Sequence, residues 1–176
     1  MKKKSTLSRI TSKLAAGSVD DLVKAIKEDH QDLKKFIAVM KDEDASHAEK
    51  KEATRGFTSL LKSHSSSEEK ALYARCLKVD DLRVMADEGY VEHHVAASLM
   101  KAMPSTRNRD RWTAQVKVLA ELVEHHIEEE EKEFLPEVEK AFADQKQEKM
   151  AHEFVALRRR SQRNVSEENA GVLKQG

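Results

Sequence analysis

The chain has one cysteine, two prolines and five glycines in 176 residues, and aromatic residues make up 5% of it. With Cys76 alone, no intramolecular disulfide can form, which fits a reducing compartment. Cys76 falls in a helical pattern and reads as a small core residue rather than a redox thiol. So little glycine and proline leaves scant turn chemistry for a many-stranded fold. No window approaches the roughly 18 apolar residues of a membrane span. The opening Met-Lys-Lys-Lys is followed by Ser5, Thr6, Ser8 and Arg9 rather than an apolar stretch, so it does not read as a secretory signal. The expectation is a cytoplasmic protein that makes no membrane contact. Neither charge is in excess: 32 basic and 32 acidic residues cancel, so no nucleic-acid partner is expected. The cluster Arg158, Arg159, Arg160 and Arg163 reads as part of a solvated basic tail.

Charge is abundant, at 36%, beside 39% hydrophobic residues, and the two alternate with a helical period. Leu22, Ile26, Leu33, Ile37 and Met40 mark a first helix, with Ser18 or Asp20 as its N-cap. A second runs from about Ala48 to Leu77 through Phe57, Leu60, Leu61, Ala71 and Leu72. It reads through Gly56, which weakens a helix by roughly 1 kcal/mol, and through the loop-like Ser65-Ser66-Ser67. Asp80 and Asp81 can cap a third helix with Leu82, Met85, Ala86, Ala96, Met100 and Met103 inward, ended by Pro104. The fourth starts near Asn108, carries Trp112, Val116, Leu119 and Val123, and meets a kink at Pro136 before Phe142. A shorter fifth segment with Met150, Phe154 and Leu157 is expected to cross the bundle end. The predicted fold is all-α: an antiparallel up-down-up-down four-helix bundle with a short fifth C-terminal helix. Its expected parts are a flexible lead at 1–17, the bundle at 18–143, an accessory helix at 144–163 and a flexible tail at 164–176.

Six ionisable residues fall on these apolar stripes. His30 lies on the first helix, His64 and Glu68 on the second, His93 on the third, and His126 and Glu130 on the fourth. A buried, unpaired carboxylate costs several kcal/mol, and two of them among four imidazoles need a common partner. A metal supplies it by holding the glutamates as anions and using the imidazole lone pairs. The i, i+4 spacing of His64/Glu68 and His126/Glu130 sets each pair on one helix face. Turns near 45, 79 and 105 put the histidines of the first two hairpins at matching levels, and the third hairpin matches if part of 103–111 is loop. Mixed nitrogen and oxygen donors suit iron, with zinc or manganese also possible. One residue of phase error would exchange His93 for His94 or His126 for His125, whereas His47 and His152 read as surface residues. Glu69 or Glu131 can serve as an outer partner or terminal ligand, and Tyr73, Tyr90, Phe36 and Trp112 read chiefly as packing that can flank the site.

The ordered set resembles the haemerythrin family in its bacterial branch, the HHE cation-binding domain, over about residues 19–142. It comprises Asp29-His30, His64-x-x-x-Glu68-Glu69 with Leu72-Tyr73, Glu92-His93, and His126-x-x-x-Glu130-Glu131 with Phe134-Leu135-Pro136. The resemblance implies two non-haem irons with an oxo or hydroxo bridge. His30 and His64 would hold one, His93 and His126 the other, and Glu68 and Glu130 would bridge them. It implies small ligands such as O2, NO or peroxide. Oxygen-carrying haemerythrins have a second histidine where Ala97 stands and an aspartate where Glu131 stands, so the set is more similar to iron-centre repair proteins and to HHE iron or oxygen sensors. Three functions follow as expectations: handling or sensing of O2, NO, peroxide or iron; an enzyme-like repair or peroxide- and NO-reducing activity; and a structural bundle without metal.

Overall fold

The computed structural model describes residues 21–172, all helix and connecting turn without a strand. The lead expected at 1–17, the caps expected at Ser18 or Asp20, and positions 173–176 of the expected tail lie outside the described residues. Helix α1 spans Leu22–Lys41. Helix α2 starts at His47, passes from α-helix to a π-helical turn at Glu69–Tyr73 and ends with Ala74–Cys76. Helix α3 is Asp80–Ala102, followed by a 3-10 turn at Met103–Ser105. Helix α4 runs from Arg109 through a second π turn at Glu130–Phe134 to Ala141, and α5 is Asp144–Val172. Short connections reverse the chain between successive helices and produce the expected antiparallel bundle.

Local chemistry explains the ends. Asp21 caps α1 by accepting from the Lys24 amide at 2.9 Å, and Ser46 with Glu49 forms a capping box on α2. Asn108 caps α4 through the Arg111 amide at 2.8 Å. Asp80 and Asp81 do not cap α3. Val79 is its N-cap, and the two aspartates occupy the first turn, where their charge favours the positive end of the helix dipole. The serine run stays helical, as the apolar period resuming in phase predicts, and the buried hydroxyls are satisfied within the helix: Ser67 donates to the Ser63 carbonyl at 2.6 Å and Ser63 to the Leu60 carbonyl at 2.9 Å. Pro136 does not break α4, because the π turn lies directly upstream and Pro136 sits in the first turn of the α-helix that resumes at Leu135.

The core has two apolar blocks. One is built on Leu33, Phe57, Leu61 and Leu119; the other contains Leu22, Ile26, Leu72, Leu135 and Phe154. The six ionisable residues of the stripes lie at the level between them. The second block draws on α5, whose Met150, Ala151, Phe154 and Val155 are buried. That helix packs along α1 and α2 rather than across the bundle end, since its apolar stripe matches the groove between them. It also extends beyond Arg163, because the polar run after it contains no helix breaker before Gly171. Arg158 is not part of a solvated tail: it is 7% exposed and paired with Asp29. No described helix is long and apolar enough to cross a membrane.

Gly56 lets α2 approach α1, since a Cβ there would stand 2.6 Å from the Phe36 ring. Overpacking costs about 1–3 kcal/mol, against a helix-propensity gain of about 1 kcal/mol. Gly56→Ala is therefore expected to lose up to about 2 kcal/mol, read from the urea midpoint. A raised midpoint would contradict this packing.

Candidate metal centre

Each of the four core imidazoles has its Nδ1 tied to a carboxylate on a neighbouring helix. His30 meets Glu131 at 3.1 Å, His64 meets Asp29 at 3.3 Å, His93 meets Glu69 at 3.2 Å and His126 meets Glu92 at 2.5 Å. The pattern has an approximate twofold repeat. Asp29 and Glu92 each precede a core histidine and serve the histidine of the next helix. Glu69 and Glu131 each follow a core glutamate and serve the remaining two. Such outer carboxylates orient a ligand imidazole and raise its basicity.

With Nδ1 engaged, Nε2 points inward. His64 Nε2 lies 3.0 Å from Glu68 Oε2, and His93 Nε2 lies 3.6 Å from the same oxygen. His30 Nε2 is 3.4 Å and His126 Nε2 is 3.9 Å from Glu130 Oε2. Two donor groups result, one of His30, His64 and Glu68, the other of Glu68, His93 and His126, with the atoms of each within 4.8 Å of one another. All these residues are buried. Yet His30 Nε2, His64 Nε2, both Glu68 carboxylate oxygens and Glu130 Oε2 have no hydrogen-bond partner. A buried polar atom left unpaired costs about 1–3 kcal/mol, more when charged, so five converging ones form a costly arrangement unless a cation completes it. The donor set fits a metal: imidazole nitrogens and carboxylates close enough to share ions.

The electrostatics point the same way. Burial would push His64 down, but Glu68 and Asp29 outweigh it and raise its pKa to about 10. His126 is likewise raised despite burial, through Glu92 and Glu130. Against burial, His30, His126 and Tyr73 hold Glu130 well below the usual carboxylate range. Glu131 is drawn down to about 2, chiefly by its hydrogen bond from His30. In each case the carboxylates around the imidazoles favour positive charge in the layer.

The chain matches the Hemerythrin HHE cation binding domain over residues 21–138. It belongs to the hemerythrin HHE cation-binding family. No curated protein and no solved structure gives a significant match. The family domain covers α1 to α3 and all but the end of α4, and it leaves α5 outside.

In this HHE domain both glutamates of the His-x-x-x-Glu pairs stand where the helix widens into a π turn: Glu68 immediately before one, Glu130 at the start of the other. Such turns often mark functional sites because they re-aim side chains. His94 and His125 face outward, and His125 pairs with Glu129 at 3.2 Å, so neither replaces its neighbour. His47 is half-buried against Trp112, with ring centroids 4.8 Å apart, and His152 is exposed. Trp112 and Phe36 belong to the apolar block built on Leu33 and Phe57. Cys76 is buried, and burial pushes its thiol up to about 12, which suits an inert core residue.

Tyr73 does more than pack. Its hydroxyl donates to Glu130 Oε1 at 2.7 Å, and its ring stacks on His93 at 5.3 Å. Gly89 makes room for it, since a Cβ there would lie 2.6 Å from the Tyr73 hydroxyl. Burial and the Glu130 charge hold that hydroxyl protonated, well above its ordinary range. Asp29 and Arg158 were missed as site-linked residues by stripe reading, although Asp29 stands beside His30 in the motif. Tyr73→Phe strips Glu130 of a buried donor and is expected to cost about 1–3 kcal/mol in metal-free protein. The half-buried Tyr90→Phe, which loses a bond to the Glu69 carbonyl, serves as the comparison in chemical denaturation and is expected to cost less. Equal losses would contradict the special position of Tyr73.

Proposed function

We propose that this HHE domain holds a dinuclear non-haem iron centre and uses it to bind a small neutral ligand, O2, NO or hydrogen peroxide, as a handling or sensing protein. His30 and His64 are assigned to one iron, His93 and His126 to the other, with Glu68 and Glu130 reaching both. One observation carries the reading: five inward atoms of the buried layer, on His30, His64, Glu68 and Glu130, converge without hydrogen-bond partners, His93 and His126 meet only each other through Nε2 at 3.2 Å, and Glu68 is common to both donor groups. Mixed imidazole and carboxylate donors favour iron over the all-oxygen sites of magnesium or calcium, and leave zinc or manganese as substitutes.

Bound iron would supply redox capacity and open coordination positions for the ligand. The chain supplies the rest. Outer carboxylates keep every Nε2 lone pair directed inward. Tyr73 anchors Glu130 and places a protonated hydroxyl beside the layer, able to donate a hydrogen bond there. The apolar blocks above and below exclude water. A cleft of about 80 Å³ opens between α3 and α4, with Tyr73, His126, Glu130 and Phe134 in its wall. Glu88, Glu92, Glu129 and Glu133 also line it, an acidic surround that favours neutral ligands and cations over anions.

Protein expressed with added iron and analysed for metal is expected to carry close to two irons per chain. It should show a near-ultraviolet absorption band that changes when NO is added without oxygen. Glu68→Ala and Glu130→Ala are expected to lose most of the metal while staying helical by circular dichroism. Wild-type protein without metal, or variants that retain it fully, would contradict the assignment.

A further inference from the structure

We propose that Arg158 is a positioning residue of the metal centre: from a helix outside the family domain it fixes Asp29, and through Asp29 the orientation in which His64 presents Nε2. The inference rests on the metal reading above. Arg158 Nη1 donates to Asp29 Oδ1 at 2.5 Å, and the other oxygen, Oδ2, lies 3.3 Å from His64 Nδ1. Asp29 is 1% exposed. A carboxylate so placed needs a counter-charge, and a buried guanidinium needs a carboxylate equally. Arg158 Nε has no hydrogen-bond partner, so this guanidinium is held by its Nη1 bond to Asp29 and by the Phe154 ring, whose centroid is 5.9 Å from Cζ.

The rest of α5 is built to deliver Arg158. Phe154, one turn earlier, sets its ring edge-on to His64 at 5.9 Å, and Arg75 of α2 pairs with Glu153 at 2.6 Å on the flank. The neighbouring Arg159 and Arg160 point outward. The twofold repeat of the layer supplies an internal comparison. Glu92 does for His126 what Asp29 does for His64, but Glu92 stands at the half-exposed edge of the cleft. Apart from His126 itself, no basic side chain forms an ion pair with it among the described residues. Water can hold Glu92, whereas buried Asp29 depends on Arg158. The helix beyond the family domain therefore closes and orients the His30/His64 half, while the His93/His126 half stays open to the cleft.

The test measures Fe2+ affinity of the full chain by anaerobic competition with a chelator, alongside melting of the metal-free protein. Arg158→Met is expected to weaken Fe2+ binding about 10–100-fold, with loss concentrated in one of the two bound ions, and Arg158→Lys to recover part of it. In an Asp29→Asn background, Arg158→Met should bring no further loss, because the arginine acts through that aspartate. If Arg158→Met does not fold, Arg158→Lys, alone and with Asp29→Asn, completes the same cycle. Lower melting with unchanged Fe2+ affinity would show a purely structural clamp and overturn the inference, as would losses that multiply in the double variant. A wild type that takes up no Fe2+ would remove the metal reading itself; a wild type that binds Fe2+ beside an equally tight Arg158→Met would overturn this inference alone.

Discussion

Everything in this bundle is arranged around one electrostatic demand. A layer of imidazoles and carboxylates is confined between two apolar blocks, and its inward atoms have more lone pairs than donors. Protein interiors do not tolerate unpaired anions cheaply. The surrounding carboxylates raise the proton affinity of His64 and His126 against the effect of burial, which answers part of the demand. Divalent cations meet it better, because each replaces several protons and uses the lone pairs directly.

The backbone serves that layer. Two π turns adjoin the glutamates that stand nearest both imidazole pairs, and four outer carboxylates turn the histidines inward. Their arrangement repeats across the α1/α2 and α3/α4 halves, but their surroundings do not, as the Lys34–Glu131 pair and the contrast of Asp29 with Glu92 show. Asp29 is buried and tied to α5 through Arg158, while Glu92 borders a cleft. The two halves are therefore chemically unequal although built on one pattern. On the proposed reading, a small ligand would approach from the cleft side, past Tyr73, Phe134 and His126.

Much of this was legible in the sequence, because long amphipathic helices carry their own period. The stripe through Leu22, Ile26 and Leu33 predicts the buried face of α1, and the same phase places His30 in the core; all four are buried. His126 over His125 follows from the same argument. What escaped has a physical reason in each case. The π turns are invisible because one extra residue per turn leaves composition unchanged. The docking of α5 depends on a groove that exists only after α1 and α2 pack. Arg158 looked like one member of a basic run, since a pattern of like charges does not reveal which one faces a buried aspartate 129 positions away.

The central claim is that this layer is stable as a cation site rather than as a polar core sufficient to itself. Calorimetric melting of chelator-stripped protein, repeated with increasing Fe2+ in the absence of oxygen, tests it most directly. The account predicts a melting temperature that climbs with Fe2+, by an amount equivalent to about 2.7 kcal/mol per bound ion at a hundred times the dissociation constant. Coincident melts with and without Fe2+ would contradict it.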